Sequence, residues 1–243
     1  MICLTVAGRV GLAAAGTTAA AVEPGIDVSR FNADINWAAV AGDGITFAFV
    51  QASRGSGDDC AVKPQRCGRD GLYNANYEAA REAGIRVGAY HRAFAGGVGR
   101  RGIKTDAVAE ARVFIKSVRE LHEGDLLPAL DVETPFAGLR PAQLRRWVRI
   151  WLARVKRGLG ERAIIYTNRS SWGATGDTTE FALAGHPLWV AHWGVSSPLV
   201  PAVNWAGKSW SVWQWTSDGE VAGIDGRVDR DRLRGGFGPL TVD

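Results

Sequence analysis

The chain alternates between short apolar runs and longer amphipathic segments, a pattern typical of repeated strand–helix units. The run Ile45–Ala52 is apolar without interruption, as expected of a strand that is covered on both faces. The predicted strands are Gly25–Ser29, Ile45–Ala52, Val87–His91, Leu126–Glu133, Ala163–Tyr166, Leu188–His192, Ser211–Trp215 and Gly226–Asp229. Eight strands in such an order favour a sheet that closes into a barrel.

Helical periodicity fills the gaps between the early strands. A short helix follows the first strand, and longer helices are predicted over Asn74–Ala83, Thr105–Val118 and Pro141–Arg157. Gly84 is placed to end the first of these, Thr105 is a suitable N-cap, and Pro141 fits a first helical turn. No long amphipathic helix separates the last three strands. The predicted fold class is therefore α/β, an irregular TIM-like barrel of five βα units followed by three β-strands, which occupies residues 22–243 as one domain.

Residues 1–21 are small and apolar and end in Thr-Thr-Ala-Ala-Ala, as at a signal-peptidase site. The usual basic start is absent and Arg9 interrupts the apolar core, so a disordered leader is the alternative. We expect a signal peptide over 1–21 and a secreted protein. Cys60 and Cys67 would then be the remaining cysteines, and a disulfide between them fits an oxidising compartment better than their spacing fits a zinc site.

Charge and hydropathy argue against several classes of partner. The 243 residues carry a formal net charge of +4, but the basic residues are scattered and form no aromatic-basic motif for nucleic acid. A weak positive field suits an anionic polymer such as a cell wall. No apolar run reaches the length of a membrane span, and the four histidines form no ligand-like cluster. We expect a monomer that uses no metal or cofactor and has no membrane or nucleic-acid partner.

The strand Leu126–Glu133 carries the strongest chemical signal. Successive side chains of a strand point to opposite faces, so Asp131 and Glu133 share one face while Val132 points to the other. Two neighbouring carboxylates repel each other's charge, which tends to keep one proton on the pair. General-acid cleavage of a glycosidic bond needs this arrangement. The alternative is a pair of solvated acids at a fraying strand end.

Polar residues also occur at the ends of almost all the predicted strands. In a parallel barrel these ends meet at one rim, where active sites form. The residues are Asp27, Gln51, His91, Asp131, Glu133, Tyr166, His192, Gln214 and Asp229. Random placement would not favour one end of eight separate strands, so this convergence indicates an enzyme.

Several stretches together resemble a known family. They are Gly25-Ile26-Asp27-Val28-Ser29 with Ile35-Asn36-Trp37, Gly88-Ala89-Tyr90-His91, Leu130-Asp131-Val132-Glu133, Ile165-Tyr166-Thr167, Trp189-Val190-Ala191-His192-Trp193-Gly194 and Trp213-Gln214-Trp215-Thr216, with glycines and Val228-Asp229 after the last. In this order and spacing the sequence resembles the lysozymes of glycoside hydrolase family 25, which are N-acetylmuramidases.

The resemblance implies cleavage of the β-1,4 bond between N-acetylmuramic acid and N-acetylglucosamine in bacterial cell-wall peptidoglycan. Glu133 is similar to the family's general acid, and Asp131 to the carboxylate that steadies the substrate's 2-acetamido group or the developing cation. Asp27 and Asp229 match the other acidic residues of the groove. Positions near the sugar subsite fall on Tyr90, Tyr166 and Gln214, with Trp193 as a sugar platform and His192 as a further groove residue.

The chain departs from the family where the second strand ends. A Lys-Ala-Thr-Glu-Gly type motif is common there, but this chain reads Gln51-Ala52-Ser53-Arg54-Gly55. The change alters the charge at the mouth of the groove, which affects substrate range or pH optimum. It also leaves open a second class, a catalytically weakened peptidoglycan-binding protein. A chitin-cleaving barrel is a third reading, but Ala129 stands where such enzymes usually place a further acid.

Overall fold

The closed sheet of this protein is seen in a computed structural model that describes residues 22–32, 34–56, 67–96 and 102–243. The strands are β1 Val22–Val28, β2 Phe47–Arg54, β3 Gly68–Arg69, β4 Arg86–Arg92, β5 Leu126–Asp131, β6 Ile164–Asn168, β7 Leu188–Ala191, β8 Val212–Gly219 and β9 Val228–Arg234. The two-residue β3 pairs only with the end of β2. β1 pairs with β2 on one side and with β9 on the other, so the eight longer strands close into a barrel. The predicted α/β barrel is confirmed.

Strand direction divides the barrel into two parts. β1, β2 and β4 to β8 run parallel, whereas β9 is antiparallel to both β8 and β1. The helices are α1 Trp37–Gly42, α2 Tyr73–Glu82, α3 Gly102–Val118, α4 Pro141–Leu159, α5 Arg169–Gly173 and α6 Glu180–Leu183. A further short turn over Pro201–Ala206 has left-handed φ and ψ angles. The three long helices, α2 to α4, all precede β6 in the chain, and only short helices follow it, as the sequence pattern predicts.

Apolar side chains form two layers, one inside the barrel and one between the sheet and the helices. The inner layer includes Phe47, Phe49, Leu126, Ile164 and Trp189. The outer layer is larger and contains Val132 together with the buried faces of α3 and α4. Because neighbouring residues of a strand belong to different layers, the two cores fix which side chains reach the rim.

Two glycines make room for the aromatic residues inside the barrel. A Cβ atom at Gly25 would lie 2.2 Å from the ring of Phe47, and one at Gly88 would lie 2.5 Å from the ring of Phe49. Neither distance is sterically possible, so the absence of a side chain at these two positions lets the phenylalanines fill the interior.

Proline in the central strand β5 is accommodated by a bulge. The register passes from Gly88↔Leu126 to Tyr90↔Ala129, so three steps along β5 face two steps along β4. Pro128, which has no N–H to donate, lies in this irregular stretch. Regular pairing resumes at Ala129, which keeps Asp131 on the inner face.

Two local predictions are wrong. The last strand runs from Val228 to Arg234 rather than ending at Asp229, and it pairs with a neighbour on both edges. Its alternating acids and arginines are not typical of a strand in the middle of a sheet, so the sequence pattern did not predict its full length. Thr105 lies inside α3, which begins at Gly102, so it is not the N-cap.

Residues 1–21 and Cys60 lie outside the described part of the chain, and the signal peptide and the Cys60–Cys67 disulfide stay predictions. No helix in the described ranges is long and apolar enough to cross a membrane.

Candidate active site

A cavity of about 200 Å³ opens at the barrel rim where the parallel strands end. Its lining residues are Asp27, Ser29, Phe31, Gln51, Arg54, Tyr90, Arg92, Asp131, Glu133, Tyr166, Trp189, Gln214 and Asp229. Pockets for drug-sized ligands enclose roughly 300–1,000 Å³, so this one accommodates a single ring-sized group. The polar residues predicted from six different strand ends thus meet at one place.

Asp131 and Glu133 lie side by side in the cavity wall, as their alternation predicts. Arg92, at the end of β4, places Nη1 3.3 Å from Asp131 Oδ1 and Nη2 3.9 Å from Glu133 Oε2. Asn168 donates from Nδ2 to Glu133 Oε1 over 2.8 Å. Asp131 is buried, while the side chain of Glu133 is 25% exposed. Glu133 is therefore the carboxyl of the pair that incoming substrate reaches first.

The charge of Arg92 decides how this pair ionises. Burial raises the pKa of Asp131 to about 8; Arg92 opposes that shift and Glu133 adds to it. Burial lowers the pKa of Arg92, but Asp131 and Glu133 outweigh this and leave that pKa raised. The positive charge of Arg92 thus offsets part of the cost of burying an ionised Asp131 beside Glu133.

Gln214 joins residues from three strands at the floor of the cavity. Its Nε2 donates to Asp27 Oδ2 over 2.7 Å. Its Oε1 accepts from Tyr166 Oη at 2.9 Å and from Trp193 Nε1 at 3.0 Å. A phenol has a single O–H to donate, so the bond to Gln214 means that Tyr166 is not a hydrogen-bond donor to Asp131. Tyr166 therefore helps to orient the amide that holds Asp27.

A second carboxylate group lies across the cavity on β1 and β9. Asp27 and Asp229 are register partners, and Asp231 follows on the same face. Burial and then the charges of Asp229 and Asp231 raise the pKa of Asp27 well above its ordinary value. Burial raises the pKa of Asp229 to about 6, with a further contribution from Glu133, and that of Asp231 to about 8. Asp27 consequently holds a proton and shares it with its two neighbours.

Asp231 also anchors the aromatic floor. Trp189 is 1% exposed and donates from Nε1 to Asp231 Oδ1 over 2.8 Å. The ring of Trp189 stacks on Phe49 with centroids 4.4 Å apart, and it meets the rings of Tyr90 and Tyr166 edge-on. Trp189 thus belongs to the core, as expected, and its face forms the bottom of the cavity.

Tyr90 and Gln51 form the remaining polar contact of the wall. Gln51 Nε2 donates to Tyr90 Oη over 3.2 Å, and Gln51 Oε1 is buried without a hydrogen-bond partner. Burial, followed by the charges of Asp27, Asp131 and Asp229, raises the pKa of Tyr90 well above its ordinary value. Tyr90 therefore stays a neutral phenol that can donate a hydrogen bond.

Trp193 and His192 lie beside the cavity rather than in its lining. Trp193 is 52% exposed and is held by its hydrogen bond to Gln214, so its indole face is open to a ligand. His192 Nδ1 accepts from the backbone N–H of Leu199 over 2.9 Å. That contact occupies Nδ1 of the ring, and the groove role of His192 stays a prediction.

His91 is a structural histidine. It is fully buried, with Ser53 Oγ 2.8 Å from Nδ1 and Glu110 Oε2 2.9 Å from Nε2. Burial and then Arg92 lower its pKa to about 3, so the ring is neutral. Glu110 also accepts the N–H of Phe94. This network resembles a nucleophile triad in composition, but it is closed to solvent and serves to fix the chain around Arg92.

Three site residues were not found from sequence. Arg92 follows His91 at a strand end, and that position alone could have identified it as a residue of the site. Asp231 was missed because the last strand was predicted to stop at Asp229. Asn168 lies two residues after Tyr166, on the same face of β6, but only its contact with Glu133 shows its role. Among the described residues, no group of three His, Cys, Asp or Glu side chains is arranged to hold a metal ion.

The chain is similar in sequence to known glycoside hydrolases. The family model of Glycosyl hydrolases family 25 matches residues 26–224. Lysozyme M1 of Streptomyces globisporus is 34% identical over 225 residues, which are 90% of this chain and 70% of that protein. An N,O-diacetylmuramidase of Arthroderma benhamiae is 26% identical, with 83% of each chain covered.

The folds agree as well. The crystal structure of a bacterial lysozyme from Streptomyces coelicolor superposes with a TM-score of 0.76 at 33% identity, covering 92% of this chain and 96% of that one. A likeness of this extent spans the whole barrel, including every strand that contributes to the cavity.

Proposed function

The chain belongs to glycosyl hydrolases family 25, and from that premise we propose that it hydrolyses the β-1,4 bond between N-acetylmuramic acid and N-acetylglucosamine in bacterial peptidoglycan. Family membership makes it a glycoside hydrolase of the lysozyme type. The bond and the residue roles are the proposed part. The observation that supports them is the Asp131–Glu133 pair, held in the cavity wall by Arg92.

Glu133 is the proposed general acid. Asn168 occupies Oε1, which leaves Oε2 to carry the proton toward the bridging oxygen of the substrate. The glycosidic C–O bond breaks as that proton transfers, and the positive charge that develops on the sugar ring faces a site rich in carboxylates. Water then supplies the hydroxyl at the anomeric carbon, which balances the hydrolysis.

Asp131 is the proposed partner that positions the sugar. It is buried next to Glu133 and paired with Arg92, so a 2-acetamido group entering the cavity meets a carboxyl of fixed orientation. Asp27 and Asp229 line the other side, where the negative charge of Asp229 stabilises an oxocarbenium-like transition state. Tyr90, Tyr166 and Gln214 supply hydrogen bonds along the floor, and the exposed Trp193 provides a face on which a sugar ring stacks.

A digest of purified peptidoglycan tests the proposal. We expect soluble fragments with N-acetylmuramic acid at the new reducing end, identified by mass spectrometry after borohydride reduction. Fragments that end in N-acetylglucosamine would contradict the assigned bond. Binding to insoluble wall with no new reducing ends would favour the weakened binding protein, the alternative that Gln51 and Arg54 raise. Secretion, the signal peptide and the monomeric state belong to the same proposal.

A further inference from the structure

Arg54 lies in the wall of the cavity, where none of the described carboxylates pairs with it. Its guanidinium carbon lies 5.0 Å from the centroid of the Phe94 ring and 5.8 Å from that of Phe31. Among the described residues no carboxylate is within ion-pair distance of Arg54, and its Nε is buried without a hydrogen bond. A guanidinium packed against two apolar rings has lost part of its water, and no carboxylate in the described part of the chain compensates for that loss.

The neighbouring arginines increase this imbalance. Arg92 is occupied by Asp131, Glu133 and backbone carbonyls, and Arg30 Nε lies 3.4 Å from Asp70. Arg30 Nη2 is nevertheless buried without a hydrogen-bond partner. Burial, then Arg30, then Arg92 lower the pKa of Arg54, so positive charge is crowded on this wall. An anion placed here would give a partner to guanidinium donors that the described residues leave unpaired.

The cavity is therefore polarised. Asp27, Asp131, Glu133 and Asp229 are the acidic residues of its lining, whereas Arg54 and Arg92 are the basic ones, and Arg92 is already paired with Asp131 and Glu133. A negatively charged substituent on a sugar would be repelled from the acids and attracted to the guanidinium. The planar fork of arginine suits a carboxylate in particular, because two parallel N–H···O bonds can form.

We propose that Arg54, flanked by Phe31 and Phe94 and assisted by Arg30, is a subsite for a carboxylate borne by the glycan. The occupant is the free lactyl carboxylate of an N-acetylmuramic acid residue that carries no peptide. This inference rests on the proposed function for the identity of the sugar. It makes the protein selective for peptide-free stretches of wall glycan, a preference set by a residue at which this chain departs from its family.

Calorimetry with a disaccharide tests the subsite apart from hydrolysis. The ligand is N-acetylglucosaminyl-β-1,4-N-acetylmuramic acid, which lacks the scissile linkage, and its partner is the same disaccharide with the carboxylate reduced to an alcohol. We expect the wild type to bind the acid about tenfold more tightly than the alcohol, the usual size of one charge-assisted hydrogen bond. Arg54→Gln should bind both ligands equally, and Arg54→Lys should retain part of the preference.

Arg157→Gln is the matched control, because Arg157 is an exposed arginine of α4 and its loss changes the net charge equally. It should bind like the wild type. Circular dichroism and thermal melting establish that each variant is folded. If Arg54→Gln does not fold, the wild-type preference for the acid and the part of it that Arg54→Lys retains decide whether the subsite exists.

Several outcomes would overturn the subsite. Equal affinity of the wild type for acid and alcohol would do so, as would no measurable binding of either. A loss in Arg54→Gln that is the same for both ligands would make Arg54 structural. If a disaccharide with its lactyl group amidated by a peptide showed the same dependence on Arg54, the carboxylate would belong to the peptide. A wild type that prefers the acid but releases no fragments from peptidoglycan would refute the proposed reaction and leave the subsite standing.

Discussion

Arg92 lies between Asp131 and Glu133, 3.3 Å from Oδ1 of the former and 3.9 Å from Oε2 of the latter. The same guanidinium also donates to the carbonyl oxygens of Glu133 and Thr134 over 3.2 and 3.0 Å. One side chain therefore fixes both the ionisation of the pair and the path of the chain that carries it. The predictions below follow from this arrangement and from the carboxylates opposite it.

Replacing Glu133 by Gln should leave the fold intact and remove nearly all lytic activity. The amide keeps the contact with Asn168 but has no proton to transfer, and general-acid catalysis is typically worth ~10²–10⁴-fold. Clearing of a peptidoglycan suspension measures the loss, and the melting temperature reports the fold. Glu78→Gln, on the exposed face of α2, is the control and should be fully active. An active Glu133→Gln enzyme would refute the role.

Arg92→Gln should lower activity and move its pH dependence. Arg92 lowers the pKa of Asp131, so its removal lets that pKa rise and shifts the activity profile to higher pH. Arg92→Lys should show little of this shift because the charge remains, yet lose stability because one ammonium cannot serve two carboxyls and the backbone carbonyls. Rates measured across pH separate the two effects. An unshifted profile in Arg92→Gln would show that Arg92 is only structural.

Asp231→Asn should flatten the dependence of stability on pH. Burial raises the pKa of Asp231 to about 8, whereas the unfolded chain titrates near its ordinary value. Between roughly pH 4 and this value the folded protein binds a proton that the unfolded one does not, so the free energy of unfolding falls as pH rises. Asn cannot titrate but still accepts from Trp189. Urea unfolding at several pH values should give a smaller slope for Asp231→Asn, and an unchanged slope for the exposed Asp225→Asn.

Trp193→Ala should weaken substrate binding without unfolding the protein. The indole is 52% exposed, so its loss removes little buried area, but a stacking face and one hydrogen bond to Gln214 disappear. We expect a several-fold rise in KM, a nearly constant kcat and an unchanged melting temperature. Trp193→Phe should restore most of the affinity, since it keeps the stacking face. Trp189→Ala should behave oppositely and destabilise the core by about 3–5 kcal/mol. A normal KM in Trp193→Ala would remove it from the binding surface.

Local patterns in the sequence determined the order of strands and helices and the facing of Asp131 and Glu133. Both follow from short-range periodicity, which any correctly placed strand must obey. The family resemblance added the positions of Asp27, Asp229, Tyr90, Tyr166 and Gln214, which the structure brings to one cavity. Such features can be inferred from neighbouring residues or from an ordered set of motifs.

Tertiary structure alone decided how charge is distributed in the cavity. Gln214 meets Asp27 across 187 positions of sequence, and Arg92 meets Asp131 across 39. These contacts depend on how the barrel closes, and burial then sets which carboxyls keep protons. That no described carboxylate pairs with Arg54 is likewise a property of the three-dimensional surroundings, since the position of an arginine in the sequence does not show which side chains lie near it. Periodicity involves residues that are close in sequence, whereas desolvation and the pairing of charges depend on many residues that only the fold brings together. The sequence therefore predicts the architecture of this protein better than its electrostatics.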